Sequence, residues 1–375
     1  MADSERRYIE LLAQGLLGGL SLFSRSTLAR VQALAGDASS RRYYRLYLSD
    51  SPVSTAILVI LNQAKGPVGG GKENKTQDDT FVELAEFFAH HGIMAPEIYS
   101  DARPAGALLV EDVGDIALWH FARDELGEVV QEIKDYLGED ALQLLYTRAI
   151  NVIKQIQSIK PDPLSVAFQR YVGFEQYRKE VEEFSDYYAK PKGIRSSALT
   201  VVEEYFDNLC ESLSSHPRTL SHFDFMSHNI YVTSEGGLRI IDFQDACTVS
   251  PVRDIVSLIN DRDIDVSLGK SLHRQLLEYY MKEMETGERF TEQYNECLLH
   301  WDLRVAGRFI YLCEKKKAER YREWVPGTLR RIGRTLFRME HNMPKVDDVI
   351  TILSGLSDEI RRGFEDPWPL PGGSS

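Results

Sequence analysis

The first part of the chain alternates between helical and strand-like runs of apolar residues. Apolar positions at helical spacing predict a leading helix over residues 5–24. Three shorter apolar runs, at 30–35, 43–48 and 55–61, are separated by turn residues and predict strands. The chain therefore opens with one helix and a group of short strands.

A second helix and two further strands follow. Residues 80–83, Thr-Phe-Val-Glu, fit a capping box and predict a helix that runs to His91, just before a glycine. Strand patterns recur at 97–100 and 107–111. With the three earlier strands, these predict a five-stranded antiparallel sheet accompanied by a helix.

After Asp115 the pattern changes to long helical segments, and a single hairpin at 230–241 interrupts them. We expect these helices at 140–159, 172–189, 196–213, 252–262, 266–286, 291–317, 325–340 and 346–364. The fold class is therefore α+β and bilobal. Residues 1–115 form a small antiparallel-sheet lobe, residues 116–365 form a larger, mainly helical lobe, and the Pro/Gly/Ser-rich residues 366–375 are expected to be disordered.

The net charge limits the classes of partner. At 375 residues the chain carries a formal charge of −13, which repels nucleic acid and anionic membranes. No run approaches the roughly 20 apolar residues of a membrane span, and residues 1–7 lack the apolar core of a signal peptide. We expect a cytoplasmic monomer that acts on a small molecule.

The four cysteines give no sign of a zinc site or a disulfide framework. Cys210, Cys247, Cys297 and Cys313 are far apart and show no C-x-x-C spacing, so we expect reduced, buried thiols. Cys247 lies two residues beyond Asp245, near the acidic motif described next. It is the thiol to examine for inhibitory oxidation.

The most informative stretch is 221–229, Ser-His-Phe-Asp-Phe-Met-Ser-His-Asn, followed after one hairpin by 241–245, Ile-Asp-Phe-Gln-Asp. Phosphoryl transfer from ATP needs a carboxylate that accepts the proton of the acceptor hydroxyl, and oxygen ligands that hold Mg²⁺ against the phosphates. Asp224 fits the first role, and Asn229 and Asp242 fit the second. The hairpin would return Asp242 to the loop that carries Asp224.

These motifs resemble those of the aminoglycoside/choline phosphotransferase superfamily, which has a protein-kinase-like fold. Within it, the chain is most similar to bacterial sugar kinases that phosphorylate the anomeric hydroxyl of N-acetylmuramate and N-acetylglucosamine. Four further segments carry the narrower resemblance: 36–46, 108–115, 251–258 and 303–309. The resemblance spans about residues 10–340. It implies ATP and Mg²⁺ as cofactors and a small acceptor with a hydroxyl group.

The resemblance also implies that the turn between the first two strands covers the nucleotide phosphates, where backbone N–H groups of small residues approach closely. Arg41, Arg42 and Arg45 lie at the exit of this turn and alternate along the next strand, so only one side of the strand can face ATP. The residues that we expect to bind the nucleotide here are Gly36, Asp37, Ala38, Ser39, Ser40 and Arg42.

Residues 66–73, Gly-Pro-Val-Gly-Gly-Gly-Lys-Glu, nearly match a P-loop. A P-loop requires Ser or Thr after its Lys and a helix that begins there, but Glu73 and a polar stretch follow instead. We therefore predict a flexible loop. The third strand also lacks the Lys that usually binds the α- and β-phosphates of the nucleotide. The nearest lysine is Lys65. Glu83 or Glu86 would be the ion-pair partner of the missing Lys.

Residues 108–113 are expected to be the hinge between the lobes, where Glu111 and Val113 would meet the adenine edge. We interpret the pair Glu111 and Asp112 as part of this connection and not as a catalytic dyad. Asp254 resembles a superfamily Asp that supports the catalytic loop, and Asp245 is expected to support the metal site. His222 and His228 are interpreted as residues that order the loop.

The function predicted is an ATP-dependent phosphotransferase that acts on the anomeric hydroxyl of an amino sugar such as N-acetylmuramate or N-acetylglucosamine. An alternative is an aminoglycoside or choline-type kinase, because the acidic run 180–188 could supply the acidic cleft that a cationic acceptor needs. A pseudokinase that binds nucleotide without turnover is a third hypothesis. Its support is the missing strand Lys, and the presence of Asp224, Asn229 and Asp242 together opposes it.

Overall fold

A computed structural model describes residues 3–34, 41–61, 76–125, 127–340, 345–366, 368 and 370–371. The small lobe has one five-stranded sheet in the order β1-β2-β3-β5-β4, with antiparallel neighbours throughout. Its elements are α1 (Asp3–Gly18), β1 (Thr27–Leu34), β2 (Arg42–Ser49), β3 (Thr55–Ile60), α2 (Gln77–His90), β4 (Ile98–Ala102) and β5 (Ala107–Glu111).

The two faces of this sheet bury different sets of side chains, because successive residues of a strand point in opposite directions. Leu46, Leu58 and Ile9 belong to the apolar cluster between the sheet and α1. Ile57 and Val82 belong to the cluster on the opposite face, against α2. The expected α+β architecture of the sheet lobe is confirmed, with a helix on each face.

The start of α2 differs from the prediction. The structure places the capping box four residues earlier: Thr76 Oγ1 accepts a hydrogen bond from Asp79 N at 3.1 Å, and Asp79 Oδ2 accepts one from Thr76 N at 3.0 Å. Thr80, the predicted cap, is fully buried inside the first turn. The predicted position is wrong because both threonines are followed by an acidic residue three positions later, and only Thr76 has the extended backbone that a cap requires.

The large lobe is mainly helical, as expected. Its helices are α3 (Leu118–Ala122), α4 (Glu128–Leu137), α5 (Ala141–Ser158), α6 (Val166–Gln169), α7 (Phe174–Phe184), α8 (Ser196–Ser215), α9 (Arg253–Asn260), α10 (Ile264–Glu283), α11 (Phe290–Lys316), α12 (Val325–Arg338), α13 (Val346–Leu356) and α14 (Asp358–Glu365). A π-helical turn, Ser185–Ala189, extends α7. The short helices α3, α4 and α6 have no counterpart in the prediction.

Two small antiparallel pairs lie among these helices. The predicted hairpin is present as β7 (Ile230–Val232) and β8 (Leu238–Ile240). A second pair, β6 (Thr219–Ser221) and β9 (Cys247–Val249), was missed because its strands have only three residues each. This pair brings together the two ends of residues 219–249, the segment that contains Asp224, Asn229 and Asp242.

The four cysteines are free and buried. Cys247 in β9 is 5% exposed, and burial raises the pKa of its thiol. Because the thiolate is the reactive form, the structure opposes the oxidation that the sequence suggested for this residue.

The described part of the C-terminal segment is packed against the large lobe. Trp368 is 7% exposed, and its ring lies 4.7 Å from the guanidinium carbon of Arg334. Asp366 pairs with Arg334 and Lys270. Disorder was therefore the wrong prediction for these residues, because a single large aromatic side chain finds a buried site.

Among the described helices, none has the combination of length and apolar composition that a bilayer crossing requires.

Candidate active site

The catalytic loop runs from His222 to Asn229, between β6 and β7. Asp254, at the start of α9, holds the front of this loop in place. Its buried carboxylate accepts hydrogen bonds from Ser221 Oγ at 2.7 Å, His222 N at 3.0 Å and Phe223 N at 3.2 Å. This is the supporting role that the resemblance implied for Asp254.

Phe223 has a φ of 79°, in the left-handed region that residues with side chains rarely adopt. Arg253 stabilises this conformation, because its Nε donates to the Phe223 carbonyl at 3.2 Å. The Arg253 guanidinium carbon also lies 4.5 Å from the ring centroids of both Phe223 and Trp301. The backbone of this strained turn is therefore fixed, and it sets the direction in which the side chain of the next residue, Asp224, points.

Asp224, Asn229 and Asp242 are brought together by the backbone. Asn229 Nδ2 donates to the Asp224 carbonyl at 3.0 Å, and Ile241 N donates to the Asn229 carbonyl at 2.9 Å. Asp242, with a φ of 64°, turns the chain directly after this contact. Gln244 Nε2 donates to Asp242 Oδ1 at 2.6 Å.

Asp245 is half-buried beside this cluster, and its buried Oδ1 has no hydrogen-bond partner among the described residues. Burial raises the pKa of Asp245 to about 6, and the charges of Asp224 and Asp242 add to the effect. An orphaned carboxylate oxygen among other carboxylates fits a hard divalent cation such as Mg²⁺. Within the described ranges, no group of three or more His, Cys, Asp or Glu is arranged to hold a metal ion.

Neither histidine of the loop is suited to act as the base. Burial lowers the pKa of His222, and its Nε2 donates to the Ile241 carbonyl at 3.1 Å. Burial and the Arg262 guanidinium hold the pKa of His228 well below its ordinary value. Both side chains therefore order the loop in their neutral form.

Two charged residues near Asp224 were not singled out from the sequence. Arg304 of α11 places Nη1 3.8 Å from Asp224 Oδ1 and Nε 3.6 Å from Glu180 Oε2 of α7. Arg304 lay inside a segment that carried the resemblance, but helical periodicity could not show which way it points. Glu180 lay in the acidic run 180–188 but was not singled out within it, and its side chain is only 9% exposed.

The arginines of β2 face opposite sides of the sheet, as their alternation requires. Arg42 reaches back to Glu5 of α1, with Nη1 2.5 Å from Oε1. Arg41 pairs with Asp78 of α2, and the buried Arg45 pairs with Asp112. The structure does not bring Arg42 to the face that carries Arg41 and Arg45.

The rest of the predicted phosphate-binding turn lies outside the described residues: Gly36, Asp37, Ala38, Ser39 and Ser40. Lys65 and the P-loop-like residues 66–73 also lie outside them.

The hinge residues connect the lobes. Glu111 Oε1 pairs with Arg239 Nε of β8 at 3.0 Å, whereas Asp112 pairs with Arg45 of β2 at 2.6 Å. The two carboxylates thus bind different partners, which agrees with a connecting role. Val113 is partly buried directly after them. No contact among the described residues tests the adenine-binding role predicted for Glu111 and Val113.

Arg170 is a third residue that the sequence analysis did not single out. Its Nη2 donates to Thr80 Oγ1 of α2 at 3.0 Å, and its Nη1 donates to the Gln244 carbonyl at 2.9 Å. It therefore ties the small-lobe helix to the turn that follows Asp242. Phe81 of α2 adds a stacked contact with Phe243, with ring centroids 5.1 Å apart.

Solved structures of kinases share this fold. The ethanolamine kinase of Plasmodium vivax matches with a TM-score of 0.55 and 12% identity, over 97% of this chain and 92% of that one. The choline kinase LicA of Streptococcus pneumoniae matches with a TM-score of 0.54 and 12% identity, over 87% and 99%. An ADP-bound aminoglycoside phosphotransferase, APH(2'')-Ib, matches with a TM-score of 0.52 and 16% identity, over 88% and 98%.

Among curated protein sequences, none matches the chain significantly. The model of the phosphotransferase enzyme family matches residues 30–291, which include Asp224, Asn229 and Asp242. Because this match covers more than half of the chain, the chain belongs to the phosphotransferase enzyme family and is an ATP- and Mg²⁺-dependent kinase.

Proposed function

We propose that the chain phosphorylates the anomeric hydroxyl of an N-acetylated amino sugar, with N-acetylmuramate and N-acetylglucosamine as the leading acceptors. The observation that carries this proposal is the mixed charge beside Asp224, where Glu180 and Arg304 offer both hydrogen-bond acceptors and donors. A polyhydroxylated ring presents both kinds of group. Such a surface suits a sugar better than it suits an acceptor with several positive charges.

In the proposed reaction, Asp224 accepts the proton of the acceptor hydroxyl as the hydroxyl oxygen attacks the γ-phosphorus of ATP. The bond between the γ-phosphorus and the β–γ bridging oxygen breaks, and ADP leaves. An anomeric hydroxyl is more acidic than the other hydroxyls of a sugar, so a carboxylate is an adequate base. Asn229 and Asp242 would hold Mg²⁺. The ion supplies charge neutralisation for the phosphates when it is bound. The strained Phe223 and its contact with Arg253 keep Asp224 aimed at the acceptor.

The acidic run of α7 supports a cationic acceptor less well than its composition suggests. Glu180 pairs with Arg304, Glu183 pairs with Arg308 at 3.1 Å, and Asp186 pairs with Lys190. An aminoglycoside or choline would therefore meet three carboxylates of the run that already have a positively charged partner. A pseudokinase is the weaker alternative, since Asp224, Asn229 and Asp242 are all in place for turnover.

We also propose that the protein works as a cytoplasmic monomer. All four cysteines are free and buried, which suits a reducing compartment. Size-exclusion chromatography with light scattering tests the monomer directly.

A coupled assay of ADP release tests the function across amino sugars, aminoglycosides and choline. We expect turnover with N-acetylglucosamine or N-acetylmuramate, and a sugar 1-phosphate as product. Phosphorus NMR of the purified product should show coupling to the anomeric proton. Phosphate on another hydroxyl, or turnover only with a cationic acceptor, would refute the proposal.

A further inference from the structure

A small cavity lies where the helices α10, α11 and α12 meet the C-terminal segment. Its volume is about 20 Å³, and a cavity needs about 10–15 Å³ to hold one water. Trp368 and Leu370 of the C-terminal segment belong to its wall. None of the residues in this wall has a role in the active site described above. The cavity therefore has room for one small group that the proposed reaction does not use.

Positively charged side chains predominate in the wall of the cavity. Three of them are arginines of α12: Arg331, Arg334 and Arg338. They are three and four residues apart, so they share one face of the helix. Asp265 is the one carboxylate among the described residues of the wall. Burial lowers the pKa of His273 in the same wall to about 4, so this ring is neutral near pH 7. The wall therefore carries two more positive charges than negative ones.

Two of the three arginines are paired with carboxylates. Arg331 lies 2.9 Å from Asp265 and 3.1 Å from Asp302. Arg334 lies 3.2 Å from Asp265 and 2.8 Å from Asp366. The charges of these two side chains are therefore balanced within the folded chain.

Arg338 has no carboxylate partner in the described part of the chain. It donates instead to three neutral oxygens: Asn295 Oδ1 at 2.8 Å, the Trp368 carbonyl at 3.2 Å and Thr335 Oγ1 at 3.0 Å. Burial lowers the pKa of Arg338 to about 10, so the guanidinium is still charged near pH 7. A charge that is removed from water without a counter-charge is costly. Arg338 therefore favours an anion in the cavity.

The hydrogen-bonding groups of the wall indicate the same kind of ligand. Arg334 is 8% exposed, and its buried Nε has no hydrogen-bond partner among the described residues. The hydroxyls of Tyr294 and Thr335 each accept a hydrogen bond, but neither donates one within the described ranges. The oxygens of Asp265 and the Oδ1 of Asn260 already have donors. The wall thus offers donors to a ligand, whereas a water would also need acceptors for its two hydrogens.

We propose that this cavity is a binding site for a single monatomic anion, chloride, held by Arg334 Nε, the Arg338 guanidinium and the hydroxyls of Tyr294 and Thr335. Phosphate, sulfate and carboxylates have several heavy atoms and exceed the space of about one water. The ion balances the charge of Arg338. Because Trp368 forms part of the wall, the ion also helps to hold the C-terminal segment against the large lobe. This inference is independent of the identity of the acceptor.

Chloride itself is the probe, and gluconate, which is too large to enter the cavity, keeps the ionic strength constant. We expect the melting temperature of the full chain to rise by about 1–3 °C when gluconate is replaced by chloride at about 0.1 M, because an ion that binds only the folded state stabilises it. Bromide should act like chloride.

Arg338→Gln should abolish this dependence on chloride, because it removes the charge that has no carboxylate partner. Arg330→Gln is the matched control. It removes the same charge from the exposed side of the same helix, where Arg330 pairs with Glu359, and it should keep the full dependence. The quantity compared is the difference in melting temperature between chloride and gluconate within each variant, so a change in overall stability does not affect the comparison.

Anomalous diffraction from crystals of the wild-type protein grown in sodium bromide gives a readout that needs no variant. We expect a bromide peak in the cavity, beside Arg334 Nε and the Arg338 guanidinium. Three results would each overturn the proposal: equal melting temperatures in chloride and gluconate, a chloride effect that persists in Arg338→Gln, or a cavity that contains water and no bromide.

Discussion

Phe223 and Asp242 hold left-handed backbone angles on either side of the reaction centre, with φ of 79° and 64°. Such conformations cost energy for residues with side chains, and they persist where the surroundings fix them. Asp254 and Arg253 fix the first turn through hydrogen bonds to its backbone. The spacing of Asp224, Asn229 and Asp242 predicted a shared site, but it could not show that two residues of α9 hold the first turn in place.

Asp224→Asn should lower turnover by about 10² to 10⁴, because the amide cannot accept the acceptor proton. MgATP affinity should remain unchanged, since Asp224 acts on the acceptor and not on the nucleotide. The coupled assay measures the first effect and calorimetry the second. Glu182→Gln, on the exposed side of α7, is the control for loss of an acidic charge. Turnover near the wild-type level would eliminate Asp224 as the base.

Asp242→Asn should weaken binding of MgATP, because it removes a charged oxygen ligand from a hard cation. Titration calorimetry with and without Mg²⁺ should show that the variant has lost most of its dependence on the metal. Asp186→Asn removes an exposed carboxylate that pairs with Lys190 and should bind normally. Wild-type affinity and metal dependence in Asp242→Asn would place the metal site elsewhere.

At the scale of elements, the positions of Glu180 and Arg304 depend on how closely the helices α7 and α11 approach each other. A Cβ built on Gly307 would lie 2.4 Å from the carbonyl carbon of Glu183 and from the backbone N of Phe184. Backbone atoms cannot rotate out of the way, so this crossing requires glycine. Gly307 lies between Arg304 and Arg308, and the crossing therefore sets the distance between each arginine and its glutamate.

Gly307→Ala should destabilise the protein by about 1–3 kcal/mol through overpacking. It should also lower kcat/KM, because separation of the helices moves Arg304 and Glu180 relative to Asp224. Thermal unfolding and the coupled assay measure the two effects. Gly15→Ala in α1 is the control, since nothing lies within 4 Å of its added Cβ and alanine favours a helix. Equal melting temperatures for the two variants would contradict the role given to this crossing.

Helical periodicity predicted most of the long helices, because a buried helix repeats its apolar face over many residues. It gave no information on which helices cross, since that depends on contacts such as Gly307 with Glu183. The start of α2 was misplaced for a related reason. Thr76 and Thr80 carry the same local pattern, and the burial of Thr80 decides between them only in the folded protein.

At the scale of the whole molecule, the two lobes are joined by more than the chain connection. Arg45 of β2 binds Asp112 and Asp115 in the segment that leads into the large lobe. Phe81 and Phe88 of α2 both pack on Phe243, the residue after Asp242. The change in sequence pattern after Asp115 predicted two lobes, but these contacts join residues too distant in sequence for any local pattern to reveal.

The two carboxylates that bind Arg45 provide a test of this connection. The side chain of Asp112 is 4% exposed and that of Asp115 is 73% exposed. Asp112→Asn should lower the free energy of unfolding by about 1–3 kcal/mol, because it weakens a buried charge-assisted hydrogen bond. Asp115→Asn should cost less than about 1 kcal/mol, as exposed pairs usually do. Urea unfolding measures the free energy of unfolding of both variants. An equal decrease in the two would show that the burial of the carboxylate does not determine how much its contact with Arg45 stabilises the protein.

Because all four native thiols are buried, a thiol-reactive label can be directed to a cysteine introduced on the surface of the folded protein. Ser54, in the turn between β2 and β3, and Ser234, in the turn between β7 and β8, are both exposed and lie in different lobes. Replacing both serines with cysteine changes the side-chain volume little and adds two reactive thiols. A donor and an acceptor fluorophore attached there would report, in a single molecule, whether the distance between the lobes changes when nucleotide and acceptor bind.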